Sequence, residues 1–192
     1  MSTAEGGGGR RRAGRHRRPS RYLRRVVIVI LVLIFAFTAA TMRLLVWPVQ
    51  GMPAQVSAIV MLAGPGDRLP VALRLAADGR AKVLIVSRGA HGYGSPCPPR
   101  PSGVLLICFE PDPADTQGEA EFVGRLADRY GWSSVDLVVS RTQATRARLL
   151  LEHCFSGPVY VTTAPLPPHS WPYELAYGWA ALMKAIVLER SC

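Results

Sequence analysis

A chain of 192 residues has room for one domain of ordinary size with an appendage. Its formal charge of +10 is concentrated at one end: residues 1–25 hold nine arginines against one acid, Glu5, and the remainder is within two charges of neutral. The pI of about 10.2 therefore describes a tail, and composition argues against a uniformly basic nucleic-acid-binding domain.

Residues 1–20 are Gly- and Arg-rich low complexity, and 1–25 reads as a disordered tail. Such a tail can grip nucleic acid through its phosphates. The next segment argues otherwise. Val26 to Met42, "VVIVILVLIFAFTAATM", carries no charge over seventeen residues. At about 1.5 Å per residue it spans roughly 25 Å, near the lower limit for crossing a bilayer. Arg43 suits the far interface by snorkelling and Trp47 suits the aromatic belt, so residues 26–47 are read as a transmembrane helix. The arginines keep the N-terminus cytoplasmic and place the main domain outside the plasma membrane. A cleaved signal peptide is the rival, with a small-residue site at Ala40; the longer apolar run favours an uncleaved anchor.

Residues 48–56 read as a linker, and 57–192 as the main domain. There, apolar runs at 57–63, 82–87, 103–109, 135–140 and 158–164 predict five strands. Between them lie helix-period segments. "DRLPVALRLAADGR" carries Leu69, Leu73 and Ala76 on one face and stops at Gly79. Thr116 and Glu119 form a T-x-x-E capping box beside Asp115. The helix that follows presents Val123, Leu126, Ala127 and Tyr130 and stops at Gly131. A last helix runs from about Tyr173 to Glu189. Continuous apolar strands alternating with amphipathic helices predict a Rossmann-like α/β domain, with a mainly parallel five-stranded sheet and helices on both faces. In such sheets ligands bind beyond the carboxyl ends of the strands.

Those ends are polar. The first carries "AGPGDR", where Gly64 would let backbone N–H groups approach an anion and Arg68 would add charge; a tight turn needing glycine explains the same residues. The second carries Ser87 and Gly89. The third carries Glu110, Asp112, Asp115 and Thr116, of which Asp115 and Thr116 have a structural role as helix caps. Glu110 has none, and Arg146 or Arg68 is its natural partner. The fourth leads through Ser140 and Gln143 to Arg146, and the fifth ends in Thr162 and Thr163. Arg146 lies near the positive end of its helix dipole, where a cation needs a carboxylate or an anionic ligand opposite. Arg141 and Arg148 are expected to be more exposed than Arg146.

The four cysteines, Cys97, Cys108, Cys154 and Cys192, all fall in the exported part, where disulfides persist. No CxxC pair occurs and no His stands at ligand spacing from a Cys, so no metal site is expected. Four cysteines allow three pairings. Cys97 with Cys108 would close the Gly/Pro loop 88–102 onto the third strand, and Cys154 with Cys192 would fasten the last helix and C-terminus to the helix that carries Arg146.

"AIVMLAGPGDR", "GRAKVLIVSRG", "EPDPADTQGEA" and "VVSRTQATRA", in this order and spacing over about residues 57–164, resemble the YdcF-like (SanA/ElyC) family. The resemblance implies a Rossmann-like domain, often behind one transmembrane helix, linked to cell-envelope integrity. It points to Gly64, Arg68, Ser87, Gly89, Glu110, Asp115, Thr116, Ser140 and Arg146. The sequence departs from the family at Arg88, Asp115 and Gln143, which stand where Gly, Asn and His are usual. Gln143 cannot act as an acid or base.

Two functions follow. One is an envelope enzyme acting on an anionic small molecule, such as a wall-precursor metabolite, with Arg68, Ser87, Gln143 and Arg146 among the binding groups and Glu110 as acid/base. The other is a tethered, non-catalytic binding or scaffold domain with the same pocket. Of the histidines, His91, His153 and His169 sit in no recognisable catalytic motif. No cofactor is specified, and the expected partners are the membrane and an anionic small molecule, with no nucleic acid.

Overall fold

The computed structural model describes residues 21–89 and 96–192. The stretch 1–20, expected to be disordered, and the part of the Gly/Pro loop containing His91 lie outside the described residues.

Helix α1 (Arg21–Thr41) continues as a π-helical turn over Met42–Val46. It starts before the uncharged run and takes in Arg24 and Arg25. No residue of α1 is buried, and Val27 to Phe35 are exposed on every face. The helix through Val46 is 26 residues long, with a mean hydropathy of 2.5 in its most apolar stretch, and is apolar enough to cross a membrane. The boundary between the chain's two compact units falls between Phe37 and Thr38.

The second unit is built on five strands: β1 (Ala58–Met61), β2 (Val83–Ser87), β3 (Leu105–Phe109), β4 (Val135–Ser140) and β5 (Val159–Ala164). All neighbours pair in parallel, in the order β3-β2-β1-β4-β5. Each strand lies within two residues of its expected bounds, and the expected α/β class is the observed one. The central strands β1 and β4 are buried along their whole length, as strands covered on both sides must be. Edge strand β3 is only partly covered, and Leu105 is exposed.

Period-two alternation divides the core. Ile59, Met61, Leu84 and Val86 face α2 (Arg68–Ala77) through Ala72 and Ala76. Val60, Ile85, Leu137 and Val139 face the other side, where α3 (Thr116–Tyr130) and α4 (Arg141–Cys154) contribute Val123, Ala127, Ala147, Leu150 and Leu151. Each fully buried aliphatic side chain is worth about 1.5–3 kcal/mol of transfer free energy. Helix α5 (Trp171–Val187) follows β5 and adds Ala185 to this second cluster.

Three local expectations change. Asp115, not Thr116, is the N-cap of α3: its Oδ1 accepts from the N–H groups of Gln117 at 3.0 Å and Gly118 at 3.1 Å. The Asp115 carboxylate takes up these two free donors, so Thr116 becomes the first helical residue and Glu119 moves off the capping position. Tyr130 is half exposed and stacks on Trp132 rather than entering the core, because the helix ends there at Gly131 (φ +63°), a left-handed cap suited to glycine. The linker is not free. Gly51 bridges Val161, Thr163 Oγ1 donates to Gln50 Oε1 at 2.6 Å, and Met52 packs on the core, so this segment runs along the exposed edge of β5.

The end of the apolar helix also belongs to the second unit. Leu45 is buried, Thr145 Oγ1 donates to the Leu44 carbonyl at 2.5 Å, and Trp179 Nε1 donates to Thr41 Oγ1 at 3.0 Å. Both expected disulfides are present, Cys97–Cys108 and Cys154–Cys192.

Candidate functional site

The order β3-β2-β1-β4-β5 reverses direction between β1 and β4. Connections from β1 run one way and those from β4 the other, so a crevice opens beyond the carboxyl ends of these two strands. A cavity of about 550 Å³ lies there. It is walled by the β1–α2 turn (Ala63–Pro65), the start of α3, the face of α4 bearing Gln143 and Arg146, and the first turns of α5.

Gly64 shapes one wall. Its φ is +133°, and a Cβ there would run into Gln143 Nε2 and come within 3.0 Å of Arg68 Nη1. Glycine thus serves both the backbone conformation and the approach of two side chains. Arg68, buried at the start of α2, donates from Nη1 to Gln143 Oε1 at 3.1 Å. That bond orients the amide and leaves Gln143 Nε2 without an acceptor among the described residues. Burial lowers the Arg68 pKa to about 10, with Glu119 and Glu174 opposing the shift.

Arg146 is 8% exposed and lines the cavity. It stands three residues after Gln143 on the same face of α4, and helical side chains lean towards the N-terminus, so both reach the carboxyl edge of the sheet. Its guanidinium lies 5.7 Å from the centre of the Tyr177 ring. Among the described residues it has no hydrogen bond and no carboxylate within 4 Å. Arg148 instead pairs on the surface with Glu152 at 2.7 Å, and Arg141 is half-buried, so the expected order of exposure holds.

Glu110 does not meet Arg146 or Arg68. It pairs with Arg88 at 3.2 Å with both side chains more than half exposed, and it does not line the cavity. The reason is strand order. β3 is an edge strand, three spacings of about 4.8 Å from β4, so its end is roughly 14 Å from the start of α4. An exposed carboxylate there needs no buried partner.

Besides Asp115, the cavity is lined by two acids not among the expected site residues, Glu119 and Glu174. Glu119 accepts from the Ala63 N–H at 2.7 Å. Burial raises its pKa, with the Ser87 hydroxyl, the Ala63 N–H and the two arginines drawing it back. Glu174 accepts from Thr142 Oγ1 at 3.4 Å, and burial raises its pKa against Thr142, Arg68 and Arg146. Both acids stand at inward positions of their helices, Glu119 four residues before Val123 and Glu174 four before Gly178. An acid on the buried stripe of an amphipathic helix is the signal that marks them.

The remaining expected residues divide. Gly89, Asp115 and Thr116 line the cavity with Gly64, Gln143 and Arg146. Asp115 is already engaged: besides its capping bonds, its Oδ2 faces Lys184 Nζ at 3.1 Å. Burial pushes its pKa up, but the Gly118 N–H, Lys184 and the Gln117 N–H outweigh this and hold it low. Ser87 and Ser140 are fully buried behind the wall, Ser87 against Glu119 and Ser140 Oγ 3.5 Å from Thr142 Oγ1. Among the described residues no group of three or more His, Cys, Asp or Glu side chains is placed to hold a metal ion. No family model matches the sequence, and no curated protein matches it.

Proposed function

We propose that the protein is a membrane-anchored α/β domain that binds an anionic small molecule in the cavity between the ends of β1 and β4. The carrying observation is Arg146: a nearly buried guanidinium facing the cavity, with no hydrogen bond and no carboxylate within 4 Å among the described residues, Glu119 and Glu174 acting on it only from farther off. A buried cation is costly unless matched, and a bound anion supplies the match. Gln143 Nε2 offers a neutral donor beside it in the same cavity.

Binding without turnover is the favoured form of this reading. Gln143 cannot serve as an acid or base near neutral pH, Glu110 stands outside the cavity, and Glu119 is already held by Ala63 and Ser87. The YdcF-like resemblance supports a role in the cell envelope, with a wall-precursor metabolite as ligand. The arginine-rich N-terminus supports a cytoplasmic tail, and two disulfides suit a domain outside the plasma membrane.

The test uses the full chain purified in detergent. Native mass spectrometry is expected to find a copurifying anion, and calorimetric titration with inorganic phosphate reads the site. Arg146→Gln should weaken phosphate binding by about tenfold or more, equivalent to about 1.4 kcal/mol, consistent with loss of a charge-assisted contact. Arg148→Gln should leave it unchanged. Equal affinity in Arg146→Gln and the native chain would remove the basis for the proposal.

A further inference from the structure

Helix α5 carries an outward face that no part of the described chain covers. Tyr173, Tyr177, Ala180, Met183 and Val187 follow one another at spacings of three and four, which aligns them on one side. Ile186 and Leu188 flank the stripe. The large residues among these are 46–74% exposed. Exposed apolar residues scattered singly need no explanation, but a continuous stripe on one helix does.

Two further observations say what covers it. The first is position. Trp179 Nε1 donates to Thr41 Oγ1, and Leu45 packs against Gly178, so the middle of α5 touches the closing residues of the apolar helix. Measured along α5 at about 1.5 Å per residue, every residue from Tyr173 to Val187 lies within roughly 12 Å of Trp179. The second is charge. On the outward side and just beyond it the charges are Lys184 and Arg190, both basic, while Glu174 and Glu189 are buried. Lys184 is engaged by Asp115 and Glu189, which leaves Arg190 as the cation at the end of the stripe. Tyrosines at one end, aliphatic residues along the middle and a flexible cation at the other match a helix lying in a membrane interface.

We infer that the outward face of α5 docks on the lipid surface of the membrane that α1 crosses, with a preference for anionic headgroups. The inference rests on the reading of α1 as a membrane anchor. Tyr173 and Tyr177 also line the cavity, so docking sets one rim of the cavity at the level of the headgroups.

The test places p-benzoylphenylalanine, a photoreactive residue, at single positions of the full chain. The chain is reconstituted in vesicles of phosphatidylcholine with phosphatidylglycerol. The variants are Leu31→p-benzoylphenylalanine in α1, Met183 and Val187 replaced likewise in α5, and Arg74 replaced likewise on the exposed side of α2, across the sheet. All four sites are exposed, and non-reducing peptide mapping confirms both disulfides in each variant. After illumination, lipid adducts at Met183 and Val187 are expected several-fold above Arg74, with adducts at Leu31 as well. Adding phosphatidylglycerol should raise the α5 yield over phosphatidylcholine alone. Lipid adducts at Leu31 with Met183 and Val187 no better than Arg74 overturn docking and leave the anchor standing. Cross-links from Met183 or Val187 to a second copy of the chain, in place of lipid, overturn it in favour of self-association. An α5 yield indifferent to phosphatidylglycerol overturns the headgroup preference. Absence of lipid adducts at Leu31 overturns the anchor and docking together.

Discussion

Asp136 lies in the middle of the sheet, beside Ile59 of β1 and Tyr160 of β5, with no exposed surface. Neither carboxylate oxygen has a hydrogen bond of good geometry; Thr162 and Arg80 lie near enough only to offset part of the cost of burial. Burial raises its pKa to about 7. The folded state therefore holds this proton at pH values where the unfolded chain has released it. The stabilising contribution is complete below the unfolded pKa near 3.8 and is lost as pH rises towards 7. Asp136→Asn removes the titration. In thermal melts followed by tryptophan fluorescence, its stability relative to the native chain should improve by about 2 kcal/mol between about pH 5.5 and about pH 8.5. A pH-independent difference would show that Asp136 does not titrate in this range. Asp136 was not marked in the run "VDLVVS": helices on both faces make it buried, but only the structure shows that neither oxygen gains a hydrogen bond of good geometry.

Among the elements, α4 and α5 carry most of what the site needs, and the chain secures them at their ends. Cys154, the last residue of α4, is bonded to Cys192, and Lys184 of α5 bridges Asp115 at the start of α3 and Glu189 beyond its own end. The Cys154–Cys192 link spans 38 residues, which the chain-entropy account values at about 4 kcal/mol. Cys192→Ser should lower Tm by roughly 10 °C for a unit of this size, read by scanning calorimetry in detergent. No change in Tm would mean the unfolded chain gains nothing from losing the link. The elements themselves were legible because their periods differ: apolar runs of six or seven residues separate cleanly from stripes such as Val123–Ala127. Helix caps were less legible. Asp115 and Thr116 are neighbours with similar capping chemistry, and only the fold shows which side chain meets the free N–H groups.

Across the whole molecule, the charge asymmetry sets the expected topology. A reporter active only outside the cytoplasm, fused after Cys192, should be active in cells, and a cytoplasm-only reporter at the same point should be silent. The reverse result would reject both the orientation and the oxidising compartment invoked for the two disulfides.

The sequence by itself determined the α/β class, the apolar helix and the positions of the five strands, and it narrowed the cysteines to three pairings, of which the expected one, Cys97 with Cys108 and Cys154 with Cys192, is present in the structure. These follow from local periodicity, from charge and from which loops the cysteines bracket. It also placed Gly64, Gln143 and Arg146 at strand ends, which a parallel sheet turns into one edge. Which strand ends become neighbours was decided only by the tertiary structure. Putting β4 beside β1 and leaving β3 at the edge brings Gln143 to Arg68 and sets Arg146 in one cavity with Gly64, and leaves Glu110 to pair with Arg88 in solvent. Glu119 and Glu174 entered the site for the same reason. Their roles depend on what their helices pack against, and strand order is a long-range property that no local pattern encodes.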